Sequence, residues 1–295
     1  MMNKNTTFVI WSYDFDWKIG GYVALHLLAK KLADRGYRVY CTCNRLMRYS
    51  KATPIGYRRA EEMSRRDNVV TLYPEVVPGN PLGAKNVVRW VLYYPAGHGV
   101  GDEIYNDSEL VVTFQDKFVN GTIYDGCPLV SLIDSNTRNI CNMNLPQRPN
   151  NAILVKKGHA PDLESRLEKY VKPYFEINER TIHFDKVIEA SNDISDLNKV
   201  LGEIDYFVSF DMASYHSVFA ALAGCKSLIV PKDGETKDSL IERMPCFNYG
   251  IAYGFDDLKH AEDTIHLVKD HVDSLQKDND SSIARLEDAI NKRFF

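Results

Sequence analysis

The sequence predicts an α/β protein in two halves, each built on a parallel sheet with helices. Three observations predict it. A strand, a glycine-bearing loop, an amphipathic helix and a second strand follow one another over residues 7–44. A polar, asparagine-rich and proline-punctuated stretch, "SNTRNICNMNLPQRPNN", breaks the pattern at 135–151. A second alternation of strands and helices then starts at "NAILVKKG". The expected domains are 1–145 and 146–295, with the last helix a candidate to pack back on the first domain.

In the first half, "TFVIWSY" (7–13) reads as a strand and "DFDWKIGG" as a loop. "YVALHLLAKKLADRG" has the periodicity of an amphipathic helix stopped by Gly36, and "YRVYCTCN" reads as the second strand. Strands are expected at 68–76, 109–114 and 128–134, with a helix at "AKNVVRWVLYY". In the second half, "NAILVKKG", "TIHFDKVI", "DYFVSF" and "CKSLIVP" read as strands. "APDLESRLEKYV", "ISDLNKVLGEI", "ASYHSVFAALAG" and "SSIARLEDAINKRFF" read as helices.

Composition narrows the function. The chain has 295 residues, 44% hydrophobic and 26% charged, the profile of an ordinary globular protein. A net charge of -4 argues against a general nucleic-acid binder. No apolar run approaches the roughly 20 residues that span a bilayer. "MMNKNTTFVIWSYDFD" lacks the apolar core of a signal peptide, so a cytoplasmic location is expected, with peripheral membrane contact left open. Six cysteines include no C-x-x-C pair, and buried free thiols are the expectation.

Ligands of open parallel sheets bind beyond the carboxyl ends of the strands, which ranks the loops. Gly20 and Gly21 precede the first helix, where missing side chains let N–H groups approach a phosphate or sugar. A tight strand-to-helix turn would use them equally well. Asp14 and Asp16 spell D-x-D, a pattern that can hold a metal beside a diphosphate, but loop aspartates more often cap turns, and no metal is assigned. His26, inside the helix, reads as packed rather than catalytic. In "YPEVVPGNPLGAKNVVRW", Pro74, Pro78 and Pro81 stiffen a loop that carries Glu75 and Asn80, which suits orienting a hydroxyl-bearing ligand. His98, between two glycines, is a candidate general base. Lys156 and Lys157 end a strand and alternate in direction, so one of them can face a ligand and neutralise phosphate. Asp211, Ser214 and Tyr215 open an apolar helix whose first N–H groups carry roughly half a positive charge.

Taken together, these blocks resemble GT-B-type glycosyltransferases, most closely bacterial enzymes of surface-polysaccharide assembly. "GGYVALHLLAKKLADRGYRVY" is similar to their acceptor-side loop and helix, and "YPEVVPGNPLGAKNVVRWVLYYPAG" to a block that follows. "ILVKKG", "YFVSFDMASYHSVFAALAGCKSLIVP" and "YGIAYGFDDLKHA" are similar to donor-side motifs. The resemblance implies two Rossmann-like domains facing across a cleft, a nucleotide-sugar donor held mainly by the second, and a glycan or lipid-linked acceptor. It implies no cofactor and no required metal ion. Gly20, Gly21, Lys156, Lys157, Asp211, Ser214, Tyr215 and Glu235 would hold the donor, and Asn80 would face the acceptor. Asp14, Asp16, Glu75 and His98 are the candidate bases of an inverting enzyme, whereas in a retaining one the leaving phosphate would take the proton. One departure stands out. The widespread GT-B pattern carries two spaced glutamates, the second opening "EAMAAG"; here those positions are Asp211 and Phe219. Phe219 cannot hydrogen-bond a ribose.

Two further classes compete with the transferase. A non-catalytic relative that binds nucleotide or glycan as an assembly partner fits the missing glutamate. A dinucleotide oxidoreductase is disfavoured, because no G-x-G-x-x-G follows the first strand.

Overall fold

The computed structural model describes residues 3–94, 105–133, 140–143, 145, 147–155 and 162–295. The chain divides into two compact units, Met1–Asp134 with Gln276–Phe295, and Ser135–Leu275.

The first unit begins with β1 (Thr7–Ile10), α1 (Gly20–Asp34), β2 (Arg38–Cys41), β3 (Thr53–Pro54) and α2 (Tyr57–Ser64). It continues through β4 (Val69–Pro74), β5 (Asn86–Val91) and β6 (Leu110–Thr113). The second unit holds β7 (Asn150–Leu154), α3 (Leu163–Arg166), β8 (Thr181–His183), α4 (Phe184–Ala190) and α5 (Ile194–Gly202). Then come β9 (Ile204–Ser209), α6 (His216–Leu222), β10 (Lys226–Ile229), α7 (Lys237–Arg243), β11 (Ile251–Tyr253) and α8 (Leu258–Thr264). Helix α9 (Val268–Lys277) leads to α10 (Asn279–Phe294), whose residues belong to the first unit.

Every strand pairing is parallel. The six-stranded sheet runs β3-β2-β1-β4-β5-β6 and the five-stranded one β11-β10-β9-β7-β8. Both are doubly wound, Rossmann-like orders: the chain leaves a central strand in one direction, then returns to build outward on the other side. That reversal lies between β1 and β4 in the first sheet and between β7 and β9 in the second.

Burial on both faces explains the composition of the strands. All six residues of β4 and all six of β5 are buried, so neither alternates polar with apolar. This also corrects the expected helix at "AKNVVRWVLYY". Its centre is β5, paired to β4 from Val70↔Asn86 to Pro74↔Trp90. A continuous apolar run has no period that separates a buried strand from a helix, and Val87, Val88 and Val91 tip it to strand. "TIHFDKVI" likewise divides into the short strand β8 and helix α4.

Helix α1 behaves as its sequence requires. Leu25, Leu28 and Leu32 are buried in the core with Phe8, Ile10 and Trp90. Each such side chain contributes about 1.5–3 kcal/mol. The helix stops at Gly36, whose φ of 89° lets Tyr37 N–H donate to Leu32 and Gly36 N–H to Ala33. Helix α10 adds Ile283, Leu286 and Ile290 to the same core. Its buried Asn279 fixes the register, accepting from Ile133 N–H and donating to Ile133 O, both at 2.8 Å. Of the cysteines, Cys41, Cys43, Cys225 and Cys246 are buried free thiols, but Cys127 is half-buried and Cys141 exposed. No helix among the described residues is long and apolar enough to cross a membrane.

Two glycines separate the two costs of adding a methyl group. Gly36 and Gly250 both have positive φ, but a Cβ at Gly36 meets nothing within 4 Å, while one at Gly250 falls 2.2 Å from Val268 Cγ2. Gly36→Ala is expected to cost about 1–2 kcal/mol in backbone strain. Gly250→Ala should lose about 1–3 kcal/mol more through overpacking. Denaturant unfolding of both variants checks this; equal losses would contradict it.

Candidate functional site

The two chain reversals collect most of the residues singled out in the sequence, and each unit carries its own set. In the first unit, the loop after β1 bears Asp14 and Asp16, Gly20 and Gly21 are the first residues of α1 rather than lying before it, and the loop after β4 bears Glu75 and Asn80. These loops flank the reversal, where an open parallel sheet leaves a crevice.

The loop after β1 is held by its own polar groups. Asp14 Oδ1 accepts from the N–H groups of Asn44 (2.7 Å) and Arg45 (3.0 Å) beyond β2. Those N–H groups hold its carboxyl below the usual aspartate range. Asp16 Oδ1 accepts from Lys18 N–H at 3.0 Å, closing a turn into the helix. His26 is fully buried: its Nε2 lies 2.8 Å from Tyr13 O, and Met47 N–H donates to its Nδ1 at 3.2 Å. The imidazole thus ties the loop after β1 to the loop after β2, as a packed rather than a catalytic histidine. Among the described residues no group of three or more His, Cys, Asp or Glu side chains is placed to hold a metal ion.

Helix α1 starts at Gly20 with no side-chain cap on its first N–H groups. A Cβ at Gly20 would meet nothing within 4 Å, and one at Gly21 would lie 3.7 Å from Leu92 Cδ1. Leu92 connects this helix start to Glu75, because its N–H donates to Glu75 Oε2 at 2.9 Å. Glu75 is only 3% exposed, an uncommon setting for a carboxyl group. Its charge, after burial, helps to raise the pKa of the neighbouring Tyr105 hydroxyl.

A buried guanidinium braces the loop that carries Glu75. Arg89 donates to Val77 O at 2.7 Å and to Gly79 O, and pairs with Glu109 at 2.5 Å. It also lies over the rings of Tyr73 and Tyr105, at 4.7 and 5.3 Å. Asn80 closes the same loop. Its Oδ1 accepts from Tyr73 Oη (3.0 Å) and Ala84 N–H (2.8 Å), and its Nδ2 donates to Ala84 O (2.8 Å).

In the second unit the reversal brings together the loops after β7 and β9. Lys156 and Lys157, after β7, lie outside the described residues, as does His98 in the first unit. After β9, Asp211 Oδ1 accepts from Ala213 N–H at 2.9 Å, a local turn. Ser214, 2% exposed, has its Oγ 3.0 Å from His216 Nδ1. Helix α6 is seven residues long and has Tyr215 at its cap position. Phe219, where the glutamate pattern would place a carboxylate, is buried edge-on against Tyr215 (5.2 Å) and His216 (5.8 Å). Glu235 follows β10, and its Oε2 accepts from Arg243 (2.7 Å) and Ser239 Oγ (3.0 Å). Tyr253 Oη donates to Glu235 O at 2.9 Å.

Sequence reading missed the arginines. Arg166, 5% exposed, donates to Phe210 O, Val230 O and Pro231 O at the carboxyl ends of β9 and β10. Arg148 plays the matching part at the other end of the sheet, donating to Leu201 O, Ile204 O and Ala223 O. The signal for such residues is weak, because their partners are main-chain carbonyls that any sequence supplies.

No family model matches the chain, and no curated protein matches it significantly. Solved structures similar to it include the glycotransferase of kitacinnamycin, at 13% identity and TM-score 0.47, covering 98% of this chain and 100% of that one. The calicheamicin glycosyltransferase CalG4 is similar at 13% identity and TM-score 0.41, over 98% of each chain. A glycosyltransferase from Rickettsia africae ESF-5 is similar at 11% identity and TM-score 0.47, over 98% of this chain and 94% of that one.

The buried imidazole gives a pH test of the loop after β1. Burial, the largest influence, lowers the pKa of His26 from its ordinary 6.5. The folded state then binds fewer protons than the unfolded state between the two pKa values. Stability from this group is complete above pH 6.5 and is lost as the pH falls through the folded value. Thermal unfolding at about pH 7.5 and about pH 5 should therefore show a smaller acid loss for His26→Gln than for the parent. An identical loss in both would remove His26 from the acid response.

Proposed function

We propose that the chain is a GT-B-type glycosyltransferase that moves a sugar from a nucleotide-diphosphate donor to a glycan or lipid-linked acceptor. One observation supports the reading: among the described residues, the loops at the reversals of two Rossmann-like sheets carry Asp14, Asp16, Glu75 and Asn80 in the first unit and Asp211, Ser214 and Tyr215 in the second. In this reading the first unit receives the acceptor at Glu75 and Asn80. The second unit receives the nucleotide at the loops after β7, β9 and β10.

Among the candidate bases, Glu75 has the setting the role needs. Asp14 is committed to two N–H groups that favour its charged, weakly basic form. Asp16 caps a turn. Glu75 is buried beside the start of α1, on a loop braced by Arg89 and Asn80, and we assign it as the base that takes the acceptor proton. Transfer by this route uses no metal ion and no cofactor, and the nucleotide sugar it consumes places the activity in the cytoplasm.

A second reading, a non-catalytic relative that binds nucleotide or glycan as an assembly partner, is favoured by Phe219. Its ring fills the place of a ribose-binding carboxylate.

Turnover of nucleotide sugars separates the two. Glu75→Gln is expected to lower transfer about a hundredfold to ten-thousandfold while nucleotide binding, read by calorimetry, stays at the parent's level. Nucleotide binding by a parent that transfers no sugar would favour the second reading. The rate should also survive EDTA, and a rate restored only by added magnesium would sink the metal-free route.

A further inference from the structure

Beyond the proposed activity, the geometry points to Arg166 as a positioning residue for the diphosphate of the donor: it sets the spacing between the loop after β9 and the loop after β10. The inference rests on the proposed nucleotide-sugar reading for the identity of the ligand.

Strands β9 and β10 are neighbours in the second sheet, paired from Tyr206↔Lys226 to Ser209↔Ile229. Past those pairs the chains diverge into two loops, one bearing Asp211 and Ser214, the other Asp233 and Glu235. Their carbonyls at the point of divergence no longer face a strand. The guanidinium of Arg166 sits there. It donates through Nη1 and Nη2 to Phe210 O (both 3.3 Å), through Nη2 to Val230 O (2.6 Å) and through Nε to Pro231 O (3.0 Å). Its charge centre lies 5.4 Å from the Phe210 ring centroid. A planar donor bound on three sides fixes both loops against one rigid group.

The same segment grips the second loop again. Helix α3 runs on as a π turn, Leu167–Val171, a geometry that turns successive side chains differently from an α-helix. From that turn Lys169 Nζ and Tyr170 Oη both reach Asp233 Oδ1, at 2.9 and 3.0 Å. Tyr253 completes the frame: its Oη accepts from Lys232 N–H at 3.4 Å and donates to Glu235 O at 2.9 Å. The loop after β10 is thereby fixed at Val230, Pro231, Lys232, Asp233 and Glu235, and the loop after β9 at Phe210.

Groups that meet a diphosphate must stand at a set separation, and small displacements of such groups are costly to binding and turnover. Four of the five N–H groups of Arg166 are spent on main-chain carbonyls, and its Nη1 also lies 3.7 Å from Asp162 Oδ1. Its effect is exerted through the main chain it holds.

Arg148 supplies the control. It too binds three main-chain carbonyls of this unit, but at the amino end of β9, away from the proposed ligand. The experiment is calorimetric titration of the parent, Arg166→Lys and Arg148→Lys with UDP, GDP and dTDP and with the matching nucleosides. All titrations are run below the unfolding temperature of the least stable protein. For the nucleotide the parent binds, the advantage of the diphosphate over its nucleoside should fall about tenfold in Arg166→Lys and remain in Arg148→Lys. A diphosphate advantage unchanged in a folded Arg166→Lys overturns the positioning role while leaving the nucleotide-sugar reading intact. Equal loss in both lysine variants reduces Arg166 to a structural clamp and overturns it as well. A parent that binds none of the diphosphates overturns the nucleotide-sugar reading, and the inference with it.

Discussion

Main-chain carbonyls left without partners where the chain leaves a strand or helix must find donors, and in this chain the buried Arg89 and Arg166 and the half-buried Arg148 supply several of them. A parallel strand loses its ladder partners where the chain turns away, and a buried carbonyl left alone costs about 1–3 kcal/mol. Arg89 takes Val77 and Gly79; Arg166 takes Phe210, Val230 and Pro231; Arg148 takes Leu201, Ile204 and Ala223. A guanidinium suits the task because it presents five donors in one rigid plane. Lysine would bring a stronger hydration shell and no fork. The loops at the carboxyl ends of both sheets therefore stand on fixed cations rather than on their own hydrogen bonds alone.

The polar side chains of these loops differ in how they are engaged. Asp14, Asp16, Asn80 and Asp211 all spend side-chain acceptors on nearby N–H groups, and each closes a turn or joins two loops. Glu75 differs in its surroundings. Its carboxyl is buried where β4 ends, and it accepts from Leu92 N–H, which belongs to the chain leaving β5. An acceptor held on the frame of two adjacent strands keeps its position without depending on a flexible loop. Arg89, which braces this loop, is itself paired with Glu109.

Much of this architecture is readable from residues. The β1–α1–β2 opening is legible because α1 has a clear apolar stripe and a glycine stop, and each signal is local. The carboxyl-end loops are legible because topology ranks them before any side chain is considered. Strand β5 is not, since burial on both faces removes the alternation that marks a strand. The arginine clamps are illegible for a different reason. Nothing near Arg166 in the sequence marks Phe210, Val230 or Pro231 as its partners, because the partner atoms are carbonyl oxygens brought close only by β9–β10 pairing. A residue type that is usually exposed then passes for surface.

Helix α6 shows how a polar helix start is held by local bonds. Its polar start, Asp211 to His216, invites a phosphate, yet the visible bonds are internal: Asp211 closes a turn and Ser214 meets His216. The physical need is local. Strand β9 ends buried, and the chain must reverse into a helix whose residues from His216 to Ala221 are all buried. A reversal at that depth has to carry its own hydrogen-bonding groups. In the proposed reading, with Phe219 packed where the resemblance would place a ribose-binding carboxylate, main-chain groups of the loops after β9 and β10 would recognise the nucleotide. Main-chain recognition depends on where the chain lies, not on which side chain it carries. The groups that fix the path of those loops are Arg166, Lys169, Tyr170 and Tyr253.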